Sequence, residues 1–133
     1  MRPAKRRTKK RRKDWLRAVM HEASIALGIL DIIVDKCHAE GYRSIESVTL
    51  KIGRAAGIMP EALLFTFDVA KSDTPARDAK LVIDLVPLGG LCGRCERDFE
   101  VEDTHVLNCP WCGSPTFQIQ KGYEMEIVDM EVH

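Results

Sequence analysis

The sequence predicts an α+β fold: a small three-stranded sheet, two helices, and a cysteine-bearing module inserted ahead of the last strand. Three features of the 133 residues predict it. Apolar side chains recur at helical spacing in two stretches, they alternate with polar ones in three others, and two C-x2-C pairs stand between the second and third alternating stretches. Composition bounds the answer further. A chain of this length supports a modest core, and no run approaches the roughly 20 apolar residues of a membrane helix, so a soluble, cytoplasmic protein is expected.

The elements follow in order. From Met20, the residues Ile25, Ile29, Ile32, Ile33 and Cys37 mark one face of a helix, Leu27, Leu30 and Val34 widen it, and Gly41 is placed to end it. Cys37 lies on that apolar face and reads as a small buried hydrophobe. Val48, Leu50 and Ile52 alternate with Ser47, Thr49 and Lys51, a half-buried strand closed by Gly53. After a loop containing Gly57, Pro60 and Glu61 suit a first helical turn, and Leu63, Leu64, Phe67 and Ala70 give that helix a buried face up to Ser72-Asp73-Thr74-Pro75. Leu81, Ile83 and Leu85 form a second strand that stops before Pro87. At the end, Tyr123, Met125 and Ile127 alternate with Glu124 and Glu126, whereas Val128, Met130 and Val132 follow the opposite parity. A slip of one residue predicts a bulge near Ile127 and Val128.

Net charge is zero, but the signs are segregated. Residues 1–19 carry ten Lys/Arg and one acid, Asp14, whereas the remaining 114 carry ten Lys/Arg and nineteen acids. The opening run repels itself and has little to bury, so a disordered basic leader is expected over 1–19. The remainder divides into 20–87 with 119–133 as the α+β part, and 88–118 as the cysteine module.

Within that module, Cys92-Gly93-Arg94-Cys95 is followed by thirteen residues and then Cys109-Pro110-Trp111-Cys112-Gly113. Two paired turns at this separation can fold together into a closed tetrahedral set of four thiolates, the usual arrangement for structural Zn²⁺. Gly93 and Gly113 suit the tight turns. Four sulfurs alone do not separate zinc from rubredoxin-like iron. With no further cysteine framework, a pair of disulfides is the weaker reading. A closed shell leaves no position for an activated water, and no nucleophile-base pair stands out, so no enzyme activity is expected. His38 and His105 read as ordinary surface histidines.

The chain resembles a family at several points together. They are Met20-His21-Glu22 with Ser24-Ile25 at the head of a helix, Lys51-Ile52-Gly53, Gly57-Ile58-Met59-Pro60-Glu61-Ala62-Leu63 with Phe65 and Phe67, and the double C-x2-C before an acidic last strand. In this order they look like the HypA/HybF nickel metallochaperones. The resemblance covers essentially everything from Met20 onward. It implies delivery of Ni²⁺ during maturation of nickel-iron hydrogenase, and in some organisms of urease, with a HypB-type GTPase and the hydrogenase large-subunit precursor as partners. It also implies nickel binding at Met20, His21 and Glu22, and structural zinc at Cys92, Cys95, Cys109 and Cys112.

The chemistry fits on its own terms. Ni²⁺, a d⁸ ion, favours planar nitrogen coordination, which an α-amine, adjacent amides and the His21 imidazole can supply from one short segment, with the Glu22 carboxylate close by. The α-amine exists only if the chain starts at Met20, so residues 1–19 are either an upstream misplacement of the start or a real extension that changes the donor set. The competing reading is a zinc-ribbon nucleic-acid-binding protein that uses the basic tail for phosphate contacts. Against it stands the acidic character of everything after residue 19, with Glu96, Asp98, Glu100, Glu102 and Asp103 crowded between the cysteine pairs.

Overall fold

In the computed structural model the backbone is described from Arg2 to His133 and side chains from His21 onward. The elements run α1 (Arg2–Ala39), β1 (Ile45–Gly53), α2 (Pro60–Ala70), β2 (Lys80–Val86), β3 (Leu88–Cys92), β4 (Asp98–Val101), β5 (Phe117–Lys121) and β6 (Met125–Val132). Two three-stranded sheets result, ordered β2-β1-β6 and β4-β3-β5. The first sheet and the two helices are those the sequence predicts. Strands β3 and β4 lie inside the cysteine module, and β5 begins there and runs past residue 118 to Lys121; the short alternations of Phe99 and Val101 with Asp98 and Glu100, and of Phe117 and Ile119 with Gln118 and Gln120, are not among the expected strands.

Two compact units divide the chain: Met1–Ser47 with Met59–Leu81 and Met130–His133, and Val48–Ile58 with Val82–Asp129. In the first, α1 buries Glu22, Ala26, Ile29, Leu30, Ile33 and Cys37, a stripe stepping by three and four residues. Ile32 and Leu27, expected on that face, are 59% and 55% exposed. Ile32 is turned about 100° from Ile33, which carries it out of a stripe this narrow. The helix stops as the sequence predicts. Gly41 has φ +79°, its N–H donates to the His38 carbonyl at 3.1 Å, and the Tyr42 N–H donates to the Cys37 carbonyl at 2.9 Å. This is the paired closure that satisfies the last helical carbonyls. Cys37 is fully buried as expected, and its thiol donates to the Tyr42 carbonyl at 3.4 Å.

The disordered basic leader expected over 1–19 falls outside the residues described in full. The leader's side chains, with that of Met20, lie outside the described residues.

Packed against α1, α2 begins with Pro60 in its first turn and buries Ala62, Leu63, Thr66 and Phe67. Thr66 belongs to that face because its hydroxyl donates back to the Ala62 and Leu63 carbonyls, at 2.9 and 3.1 Å. Leu64, expected to be buried, is partly exposed. In β6 the half-buried positions are Ile127, then Met130 and Val132. The face therefore changes phase between Ile127 and Met130, as the sequence pattern requires.

The second unit contains the closest backbone approach. A Cβ on Gly53 would fall 2.0 Å from the carbonyl carbon and oxygen of Gly122, and one on Gly122, at φ +119°, would fall 2.7 Å from Leu88 Cα. Hydrogen bonds hold the crossing: the Gly53 N–H donates to the Glu124 carbonyl at 2.9 Å and the Ala55 N–H to the Gly122 carbonyl at 2.8 Å. No side chain fits there. Gly53→Ala should therefore lower unfolding stability by about 3 kcal/mol in a urea titration, because the new methyl meets backbone that cannot rotate away. A loss under about 0.5 kcal/mol would show that the crossing is looser than described.

Candidate metal centre

The four cysteines converge. Cys92 Sγ lies 3.6 Å from Cys112 Sγ, Cys95 Sγ lies 3.8 Å from Cys109 Sγ, and all four sulfurs lie within 4.8 Å of one another. None is disulfide-bonded. A tetrahedron with metal–sulfur bonds of about 2.3 Å has edges of about 3.8 Å, which the Cys92–Cys112 and Cys95–Cys109 edges match.

Local sequence builds each half of the cage in the same way. Cys92 closes β3, and the chain turns so that the Arg94 and Cys95 N–H groups donate to Cys92 Sγ, each at 3.4 Å. The Glu96 N–H returns to the Cys92 carbonyl at 3.1 Å, and the Cys92 N–H donates to the Arg97 carbonyl at 3.0 Å. Seventeen residues later the pattern repeats. The Trp111 N–H donates to Cys109 Sγ at 3.4 Å, the Gly113 N–H to the Cys109 carbonyl at 2.8 Å, and the Cys109 N–H to the Ser114 carbonyl at 2.8 Å. Gly113 takes φ +76°, as its place after the second pair predicts. The matching residue of the first half is Glu96 at φ 59°, the sole non-glycine residue with positive φ among those described. A side chain there costs about 1 kcal/mol, and nothing in the sequence flags it.

Cross-strand contacts fix how the halves face each other. In the β4-β3-β5 sheet, Gly90 pairs with Phe99 on one side and with Ile119 on the other. The Phe99 and Phe117 rings meet edge to face, 5.7 Å between centroids. Trp111, within the second pair, donates from Nε1 to the Asp98 carbonyl at 3.1 Å, and the Arg97 guanidinium stacks 5.4 Å from its ring centroid. Residues from β4 and the first turn thereby clasp the second turn. Lys121 pairs with Glu100 across the strands.

Amide hydrogen bonds and crowding pull the thiols apart in acidity. The Cys95 N–H is the main influence holding Cys92 down at about 6, against the opposing effect of burial and with help from the Arg94 N–H. For Cys95 the Arg97 amide lowers the value, but burial and the thiols of Cys92, Cys109 and Cys112 together outweigh it and push it up to about 11. One thiolate forms readily while another resists adding negative charge to the cluster. A divalent cation removes that conflict.

Of the other site residues, His21 and Glu22 stand together in the first unit. Glu22 is 1% exposed, and its Oε1 accepts a hydrogen bond from His21 Nδ1 at 2.9 Å, while the imidazole is 63% exposed. Among the described residues, Glu22 Oε2 has no hydrogen-bond partner. Burial of this carboxylate is invisible in the sequence unless position 22 is noticed to fall on the stripe of Ala26, Ile29 and Ile33. Met20 contributes only backbone to the described structure. His38 and His105 are exposed, the latter against Thr104 Oγ1 at 2.9 Å. Among the described residues, no helix is long and apolar enough to cross a membrane.

Comparison with known proteins agrees with this arrangement. The family model described as "Hydrogenase/urease nickel incorporation, metallochaperone, hypA" matches residues 20–132. The hydrogenase maturation factor HypA of Chlorobium luteolum is 44% identical over 108 residues, covering 81% of this chain and 92% of its own. That of Chloroflexus aggregans is 38% identical over 112 residues, covering 84% and 98%. Two solved structures share the fold. The Ni metallochaperone HypA from Helicobacter pylori has TM-score 0.58 and 20% identity over 84% of this chain and 96% of its own. A second HypA solution structure has TM-score 0.64 and 22% identity over 86% and 97%.

Two outcomes are expected of the cysteine site. Glu96→Gly should stabilise the module against thermal unfolding by about 1 kcal/mol, whereas Gly113→Ala should destabilise it by a similar amount, since only the former relieves a left-handed side chain. Zinc uptake by the metal-free protein should release protons, because Cys95 is still protonated at neutral pH. Affinity measured against a chromophoric chelator should therefore fall as pH is lowered from about 8 to about 6. A pH-independent affinity would mean that the sulfurs enter the site already ionised.

Proposed function

This chain belongs to the HypA family of hydrogenase/urease nickel-incorporation metallochaperones, and we propose that it binds Ni²⁺ at Met20-His21-Glu22, holds structural Zn²⁺ at Cys92, Cys95, Cys109 and Cys112, and hands nickel on during maturation of a nickel-iron hydrogenase or a urease. It is a carrier and not an enzyme. On this reading residues 20–87 and 119–133 carry nickel and residues 88–118 carry zinc. The partners are a HypB-type GTPase and the precursor of the hydrogenase large subunit, met in the cytoplasm.

The observation that carries the nickel assignment is the pair His21 and Glu22. A carboxylate that is 1% exposed, with one oxygen lacking any partner among the described residues, is costly to a fold. An apolar residue of similar size at the head of the α1 stripe would pack without that penalty. The carboxylate does have a use beside a metal ligand. An ionised carboxylate only accepts hydrogen bonds, and with that partner the proton of the contact sits on His21 Nδ1. The ring is thereby oriented with its other nitrogen free toward solvent, the arrangement by which carboxylates position metal-binding histidines. Zinc gives the cysteine module its order by joining two turns that share little apolar core of their own.

Substitutions at the two positions separate binding from folding. His21→Ala should remove nickel binding, followed by isothermal titration of the zinc-loaded protein, while zinc content and thermal stability stay unchanged. Glu22→Leu should raise unfolding stability by about 1 kcal/mol, by replacing an unsatisfied buried oxygen with an apolar group, and should weaken nickel binding at least tenfold. Nickel affinity untouched by both changes would place the site elsewhere.

A further inference from the structure

The second unit carries a surface that neither metal site uses. An open groove of about 450 Å³ is lined by Gly90, Asp98, Glu100, Trp111, Gln120 and Lys121. The central strand is bare at Gly90, where a Cβ would fall 2.2 Å from the Gln118 carbonyl oxygen. Trp111 is 61% exposed, yet its Nε1–H is held by the Asp98 carbonyl. An indole left in water but fixed in orientation is covered by a partner at little further entropic cost.

Charge decides what can cover it. Residues 96–108 hold five acids and a single arginine. Glu100 is paired with Lys121, whereas the Asp98 carboxylate has no ion-pair partner among the described residues. The Trp111 ring already accepts one guanidinium, that of Arg97, 5.4 Å from its centroid, and still leaves more than half of the side chain exposed. A guanidinium is planar, stacks on indole and forks to a carboxylate, so an arginine matches both groups at once. Phosphates and anionic lipid headgroups would meet repulsion here.

We propose that this groove docks an arginine-bearing, extended segment of a partner protein, with a guanidinium placed between the Trp111 indole and the Asp98 carboxylate and the segment lying along the bare strand at Gly90. The surface is separate from the nickel segment. Its use needs only that the cysteine module be folded. Specificity comes from the fixed indole and the free carboxylate together, since an exposed ion pair alone contributes little. The contact is salt-sensitive for the same reason.

The test uses the full-length, zinc-loaded protein carrying Trp15→Phe, which leaves Trp111 as its single tryptophan. A short capped peptide of alternating arginine and alanine is titrated in while Trp111 emission is followed. The emission should change and saturate, and the glutamate counterpart of the peptide should leave it unchanged. Asp98→Asn combined with Glu100→Gln should weaken binding by about fivefold or more. Glu126→Gln combined with Asp129→Asn removes the same charge from exposed positions of β6, and it should alter binding by less than about twofold. Zinc content should be equal in all of these proteins. Equal weakening by the two pairs of substitutions would reduce the interaction to diffuse charge and overturn the groove. An arginine peptide that leaves Trp111 emission unchanged also overturns it. So does a single-stranded RNA that moves the emission as far as the peptide does, because the occupant would then be a nucleic acid and not a protein.

Discussion

Four sulfurs held 3.6 to 3.8 Å apart along the two closest edges are the constraint on which the second unit depends. Thiols bring little attraction of their own to that distance, and successive thiolates repel. The backbone makes the approach possible by aiming amide protons at Cys92 and Cys109, and the separation in acidity between Cys92 and Cys95 is what remains unresolved without a cation. Around this cage the chain uses short strands, a glycine face on β3 and an aromatic clasp in place of a large core. A metal that bridges segments distant in sequence supplies the ordering that apolar burial supplies elsewhere.

The two turns of the cage show what such a constraint demands of sequence. Both use the same three backbone hydrogen bonds, and both need a left-handed residue after the second cysteine. One meets the demand with Gly113, the other with Glu96. The turn geometry is thus common to both halves of the cysteine cluster, and the residue type only sets how much strain is stored in reaching it.

In the first unit, the tension is between packing and function. The stripe of α1 is apolar from Ala26 to Cys37 but begins with a carboxylate. The burial that would strengthen the fold is given up at one position, where a histidine is oriented for a metal.

The chain's local physics was legible in the sequence wherever one residue type had one use. Two C-x2-C pairs can meet only as a cage, Gly41 and Gly113 sit where positive φ is needed, and the alternation of Val48, Leu50 and Ile52 leaves a strand one way to face a core. The shift of parity after Ile127 even predicted a change of buried face. Tertiary structure decided what local pattern leaves degenerate. Leu27, Ile32 and Leu64 are as apolar as their buried neighbours and are excluded by the narrowness of each helix contact. The strands of the cysteine module are so short that their alternation, Phe99 with Val101 and Phe117 with Ile119, does not stand out from the turns around it, and only their pairing along β3 makes them a sheet. Glu22 lies one turn before Ala26 and is buried only because α1 is packed there. Spacing along the chain fixes which atoms can meet, and packing fixes which of them leave water.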